Sequence, residues 1–238
     1  MNVHFIESYI FLMVLAATST SFVYGFKENG NCSRAVLDYC SMKLISLGDV
    51  DYVSPVNMEQ MNKRCKEVKA MEQCIKDYAA RCLEGETRNS ILVVVYGIAK
   101  TNKSYCSSQK RKNAHISFGK CANKNKKSLD KFMNQMIVDY HGVRLYKDPK
   151  LRIPLACCNF YKFKDRLVTL LNKDCPNEAV EMERKIDGYT QDGLNLLCGD
   201  YTEESDLCSK IINKTPKWTK SVTSKAFIMP MVDIFNSL

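Results

Sequence analysis

Twelve cysteines carry the chemistry that this sequence states most openly. They stand at Cys32, Cys40, Cys65, Cys74, Cys82, Cys106, Cys121, Cys157, Cys158, Cys175, Cys198 and Cys208. Such a set can oxidise to disulfides or coordinate zinc. An even count permits complete pairing. Structural zinc sites favour close C-x2-C or H-x3-H pairs, and the chain has neither. Beyond the leader, only His115 and His141 remain to join a metal. Disulfides are therefore expected, with no metal and no cofactor.

Catalytic patterns are scarce. There is no G-x-S-x-G, H-E-x-x-H or Walker loop. His141, within Asp139-Tyr140-His141-Gly142, is the better candidate for the general base of a hydrolase, although a helix-end histidine accounts for it more simply. The Cys157-Cys158 pair resembles the twin cysteines of secreted phospholipases A2, but Asn159-Phe160-Tyr161-Lys162 follows where that family has a His-Asp pair. The expectation is a protein that is not an enzyme, with no catalytic residue assigned. A rival reading is a carrier of a hydrophobic small molecule or lipid, which requires an apolar cavity of several hundred Å3. The C-x3-C pair of insect odorant-binding proteins and the C-x2-C pair of saposin-like proteins are both absent.

The cysteines agree with the leader. Residues 1–25 read as a signal peptide, with the apolar core Tyr9–Ala17 and cleavage before Phe26. That core is shorter than the roughly 20 apolar residues a membrane span needs, so no stable membrane insertion is expected. Secretion into an oxidising, extracellular compartment lets disulfides persist. Three N-glycosylation sequons occur, at Asn31, Asn102 and Asn213, of which Asn102 is the preferred acceptor. Asn31 abuts a cysteine, and Pro216 follows the sequon of Asn213.

The formal net charge is +9. Much of the excess is local: Lys110-Arg111-Lys112, Lys120, Lys124, Lys126, Lys127 and Lys131 crowd one stretch. An anionic glycan or lipid headgroup would suit it; a solvated loop and helix face is the plainer reading. Nucleic acid is not an expected partner outside the cell. Lys110-Arg111 also has the form of a processing site, where spacing suggests that a cut would leave two linked chains.

The elements that position these residues are helical. Stripes with steps of three and four run from Met58 to Cys82, Leu129 to Tyr140, Phe160 to Leu171 and Ala179 to Leu197. Ser128 is the expected N-cap of the second stripe, and Pro176 opens the last. Ile91–Ala99 is a continuous apolar run, read as a buried helix because a lone strand would leave its backbone unpaired. The fold class is all-α and disulfide-rich.

Cysteine spacing suggests duplication. Cys65 to Cys82 and Cys158 to Cys175 are both steps of 17. The resulting organisation is a helical module over 26–141 with seven cysteines, a break at 142–154, a module over 155–210 with five, and a tail over 211–238. Cys32 and Cys40, like Cys74 and Cys82, lie eight apart, about 12 Å along a helix. That exceeds the reach of a disulfide, so each must bridge to another element. Adjacent Cys157 and Cys158 should take different partners.

The order C-x8-C-x7-C-L-E over Cys65–Glu84, the apolar helix after it, Cys106, Cys121, Cys157-Cys158, Cys175, Cys198 and Cys208 resemble the arthropod 27 kDa haemolymph glycoprotein family. The resemblance spans roughly residues 32–210. It implies a secreted, glycosylated, helical protein of body fluid and brings no catalytic residues. One departure is Leu167, which stands where a cysteine would be expected, nine after Cys158 as Cys74 is nine after Cys65.

Overall fold

The computed structural model describes residues 32–238. The leader 1–25 and the Asn31 sequon lie outside the described residues. Eight α-helices follow: α1 (Arg34–Ile45), α2 (Met58–Cys82), α3 (Gly85–Cys106), α4 (Gln109–Val143), α5 (Arg152–Asp174), α6 (Pro176–Leu197), α7 (Leu207–Ile211) and α8 (Ile228–Phe235). Short 3-10 turns lie at Pro149–Leu151 and Ile212–Lys214, and no strand occurs among the described residues. None of these helices is long and apolar enough to cross a membrane.

Local sequence explains the boundaries. Asn57 caps α2 by accepting the backbone N–H of Gln60, whose side chain in turn accepts the N–H of Val56. Met61, Val68, Met71 and Ile75 form the buried stripe of that helix. Ile91–Ala99 is helical within α3, as the neighbouring periodicity implies. The cap of α4 is Ser108 rather than Ser128, because Phe118, Cys121, Ala122 and Asn125 carry the buried stripe without a break into Leu129 and Met133.

The segment 211–238 is no peripheral tail. Its α8 buries Ile228, Met229, Val232 and Ile234 against α1, α3, α4 and α5. Pro230 does not break it, since a proline in a first turn lacks an N–H that would have no helical partner anyway.

All twelve cysteines pair. Cys32–Cys82 and Cys40–Cys74 tie α1 antiparallel to α2, and Cys65–Cys106 ties α2 to the end of α3. Cys121–Cys175 ties α4 to the end of α5, Cys157–Cys198 ties α5 to the end of α6, and Cys158–Cys208 ties α5 to α7. Cys157 and Cys158 thus take different partners. The spacing repeat meets the bonds one residue off: Cys65–Cys106 and Cys157–Cys198 both close loops of 41, and Cys158 belongs to the extra bridge.

The bonds fall into two sets, one ending at Cys106 and the next starting at Cys121. They divide the cysteines six and six, where spacing suggests seven and five. Cys121–Cys175 spans the 142–154 break expected from the sequence, and no bond spans Lys110-Arg111. A cut after Arg111 would therefore leave two halves without a covalent link, contrary to the expectation from spacing.

The core joins both sets within one compact unit, Cys32–Leu238. Leu37, Ile75, Ile91, Leu155 and Leu167 are completely buried, each contributing roughly 1.5–3 kcal/mol relative to exposure. Helices α3 and α6 pack tightly at Gly97, where a Cβ would lie 2.8 Å from the carbonyl oxygen of Tyr189. In the first hairpin Cys40 and Cys74 sit eight residues inward from Cys32 and Cys82. In the second, the residues eight inward from Cys121 and Cys175 are Leu129 and Leu167, both deeply buried. Buried leucines stand at these two positions, where the first hairpin carries a bridge.

Candidate functional site

His141 lies in the last turn of α4, beside a glycine that admits another chain segment. A Cβ on Gly142 would collide with the carbonyl oxygen of Pro216. The segment after α7 therefore lies directly on α4, and Thr215 anchors it by accepting the side-chain N–H of Asn159 on α5 at 2.9 Å. This places Trp218 against His141, with ring centroids 5.0 Å apart and planes 25° apart. The Arg144 guanidinium lies 5.7 Å from the same indole.

Asp233 of α8 closes the arrangement. It pairs with Arg34 at 2.7 Å and Arg144 at 3.3 Å, so the start of the described chain, the end of α4 and the last helix meet at one carboxylate. Asp38 of α1 accepts the backbone N–H groups of Lys225 and Ala226. Between these contacts opens a cleft of about 460 Å3, edged also by Tyr39 and the hydroxyls of Ser221, Thr223 and Ser224.

Electrostatics divide these groups. Burial lowers the pKa of His141, only partly opposed by the charge of Asp233. Burial therefore favours the neutral imidazole. Burial raises that of Asp38, against the pull of its two backbone donors. His141 is buried, and among the described residues neither ring nitrogen has a hydrogen-bond partner; nor does the indole N–H of Trp218. A hydrolase using His141 would pair the imidazole with a carboxylate or a nucleophile. Here Asp233 shares the cleft but is held by two arginines, and no hydroxyl bonds the ring.

A second cluster surrounds Lys185 of α6. Its ammonium lies 5.4–5.7 Å from the ring centroids of Tyr105, Phe118 and Tyr189 and 3.3 Å from Nδ1 of His115. Buried Arg64 beside it donates to the carbonyls of Lys43 and Leu44 at 2.6 and 2.8 Å. Burial first, and the charge of Arg64 second, lower the Lys185 pKa to about 7. Burial also lowers the pKa of His115 strongly.

The basic stretch forms one face of α4. Lys120, Lys124, Lys127 and Lys131 recur with steps of four, three and four, are all exposed, and make no ion pair among the described residues. They line about 16 Å of helix. Lys126 differs, being engaged by Asp130 and the carbonyl of Asp49.

The sequons separate by exposure. Asn102, expected to be the acceptor, is 7 % exposed on α3 and accepts a hydrogen bond from the Tyr189 hydroxyl at 2.6 Å. A glycan on this amide would have to displace the Tyr189 hydroxyl and open the packing of α3 on α6. Asn213 is exposed in its 3-10 turn.

Two further features bear on ligands. An apolar pocket among Val94, Tyr140, Phe160, Leu194 and Phe235 has a volume of about 60 Å3, well below the ~300 Å3 at which small-molecule sites begin. Among the described residues, no group of three or more His, Cys, Asp or Glu gathers to hold a metal.

The sequence reading passed over Trp218, Arg34, Asp233 and Lys185 as site residues. One signal was present: Asp233 interrupts an apolar segment, which is the mark of a buried acid with a cationic partner. Nothing local tells which arginine that partner is. Comparisons with family models, with curated proteins and with solved structures find no match.

Proposed function

We propose that this chain is a secreted, disulfide-braced glycoprotein of extracellular fluid, of the haemolymph type that its cysteine order resembles. It acts by binding and performs no catalysis. Its partner is an anionic, sulfated glycan held along α4. The observation that carries this reading is the exposed face of Lys120, Lys124, Lys127 and Lys131, free of ion pairs. Four unpaired ammonium groups on one rigid helix suit a linear polyanion, whose charges also recur along a line. Three disulfides on each side of the 107–120 junction support a protein made for an oxidising fluid. Asn213 is the exposed sequon for a glycan.

Heparin chromatography tests it. Replacing the four lysines by glutamine should lower the eluting salt concentration far more than the same change at Lys63, Lys66, Lys173 and Lys220. Those four are also exposed and belong to other elements of the chain. Equal losses from both variants would reduce the interaction to net charge and end the proposal.

A further inference from the structure

We propose that the cleft between α1, the end of α4 and the segment 218–233 binds a small organic oxyanion, a carboxylate or a sulfate or phosphate ester. This site is separate from the lysine face of α4.

The argument starts from donors and acceptors. The two carboxylates at the cleft are already engaged: Asp233 by Arg34 and Arg144, Asp38 by the backbone N–H groups of Lys225 and Ala226. The donors are not exhausted. Each guanidinium has five N–H groups, and neither is consumed by one shared carboxylate. Among the described residues the exposed Lys225 side chain makes no ion pair, although its charge acts on Asp38, and the hydroxyls of Ser221, Thr223 and Ser224 make no hydrogen bond. A site with surplus donors and spent acceptors suits a ligand made of acceptors.

Buried nitrogen supplies the second, independent observation. His141 is 8 % exposed and lines the cleft, yet both ring nitrogens are unpartnered. The indole N–H of Trp218, stacked on it, is unpartnered too. Each buried donor without an acceptor costs about 1–3 kcal/mol; these nitrogens have almost no exposed surface, so a small shift of the stacked rings would be needed to bring the indole N–H and the one imidazole N–H to an acceptor in the cleft. The volume, about 460 Å3, falls within the range of small-molecule sites, about 300–1,000 Å3. It is far more than an inorganic anion fills. The hydroxyl rim would bind the neutral, polar part of such a molecule while the cations hold its charge.

Trp218 is the only tryptophan in the chain, so its fluorescence reports this cleft. At constant ionic strength the full protein is titrated with glucuronate, glucose 6-phosphate and glucose 6-sulfate, and with glucose and inorganic sulfate as controls. At least one organic anion should give a saturable change, and the tightest arm identifies the oxyanion. Glucose should give none, and inorganic sulfate should bind at least about tenfold more weakly. Arg34→Gln and Lys225→Gln should each weaken binding about tenfold, the loss of one charged hydrogen bond. Lys225 is exposed, so its variant retains the fold and keeps the test decisive if Arg34→Gln does not. The quadruple lysine variant of α4 should titrate as the parent does. The proposal is overturned if no organic anion saturates the signal, if inorganic sulfate binds as tightly as the esters, or if Lys225→Gln leaves the affinity unchanged.

Discussion

The ammonium of Lys185 lies 3.3 Å from Nδ1 of His115, and no carboxylate pairs with it among the described residues. Three aromatic faces and the imidazole provide all its local stabilisation. That is too little to hold a charge at its ordinary strength, and its pKa falls from 10.5 to about 7.

Stability should therefore rise with pH above neutrality. The unfolded lysine keeps its proton to about pH 10.5, whereas the folded one releases it near 7. Between these values the unfolded state binds more protons, so raising the pH favours folding. Below pH 7 the penalty is at full size. The gain between pH 7 and 10 should be on the order of 3 kcal/mol, measured by chemical denaturation. Burial raises the pKa values of Tyr105, Tyr140 and Tyr189, which reverses the trend above about pH 10. Lys185→Met should flatten the rise and make the protein more stable at pH 7.

The acid side has its own cause. His115 and His141 have lowered pKa values, so the unfolded state binds their protons first as pH falls through about 6.5. Stability should decline from there, and His115→Phe should remove part of the decline in the same denaturation series.

Glycan attachment should follow exposure. In a secretory host, Asn213→Gln should remove a glycan-sized mass, read by intact mass spectrometry before and after glycosidase treatment. Asn102→Gln should leave the glycan mass unchanged. It should lower stability by about 1 kcal/mol through loss of the Tyr189 hydrogen bond.

Gly142→Ala should lift the Pro216 segment from α4. The added methyl meets a backbone carbonyl rather than a flexible side chain. The expected cost is about 1–3 kcal/mol. Trp218 emission should move to longer wavelength as the indole leaves His141.

Leu129 and Leu167 can be tested as the counterparts of Cys40 and Cys74. The double variant L129C/L167C should form a seventh bridge and show no free thiol on titration under denaturing conditions. Two free thiols would show that the two hairpins differ in register at this level.

The helices were legible because their apolar residues recur every three or four positions, and Met61 to Tyr78 on α2 is the clearest case. Ser128 misled because its side chain suits a cap, while the stripe through Phe118 and Cys121 continued beneath it. Pro230 shows the same limit: a proline reads as a break unless its place in a first turn is known. Cysteine spacing located the hairpins but not their bonds, since Cys157 and Cys158 offer two registers one residue apart. The cleft was least legible. Its closing contact joins Arg34 to Asp233, 199 residues away, and no local pattern encodes so distant a partner.

That separation also orders events in time. Ribosomes add about 5–20 residues per second, so Arg34 is made roughly 10–40 s before Asp233 exists. The bridges that close at Cys74, Cys82 and Cys106 can form while the second half of the chain is still being synthesised. The Trp218–Asp233 wall of the cleft is made after Cys208, which closes the last of the six bridges. A chain stopped at Asn213 would carry all six of these disulfides and lack this wall.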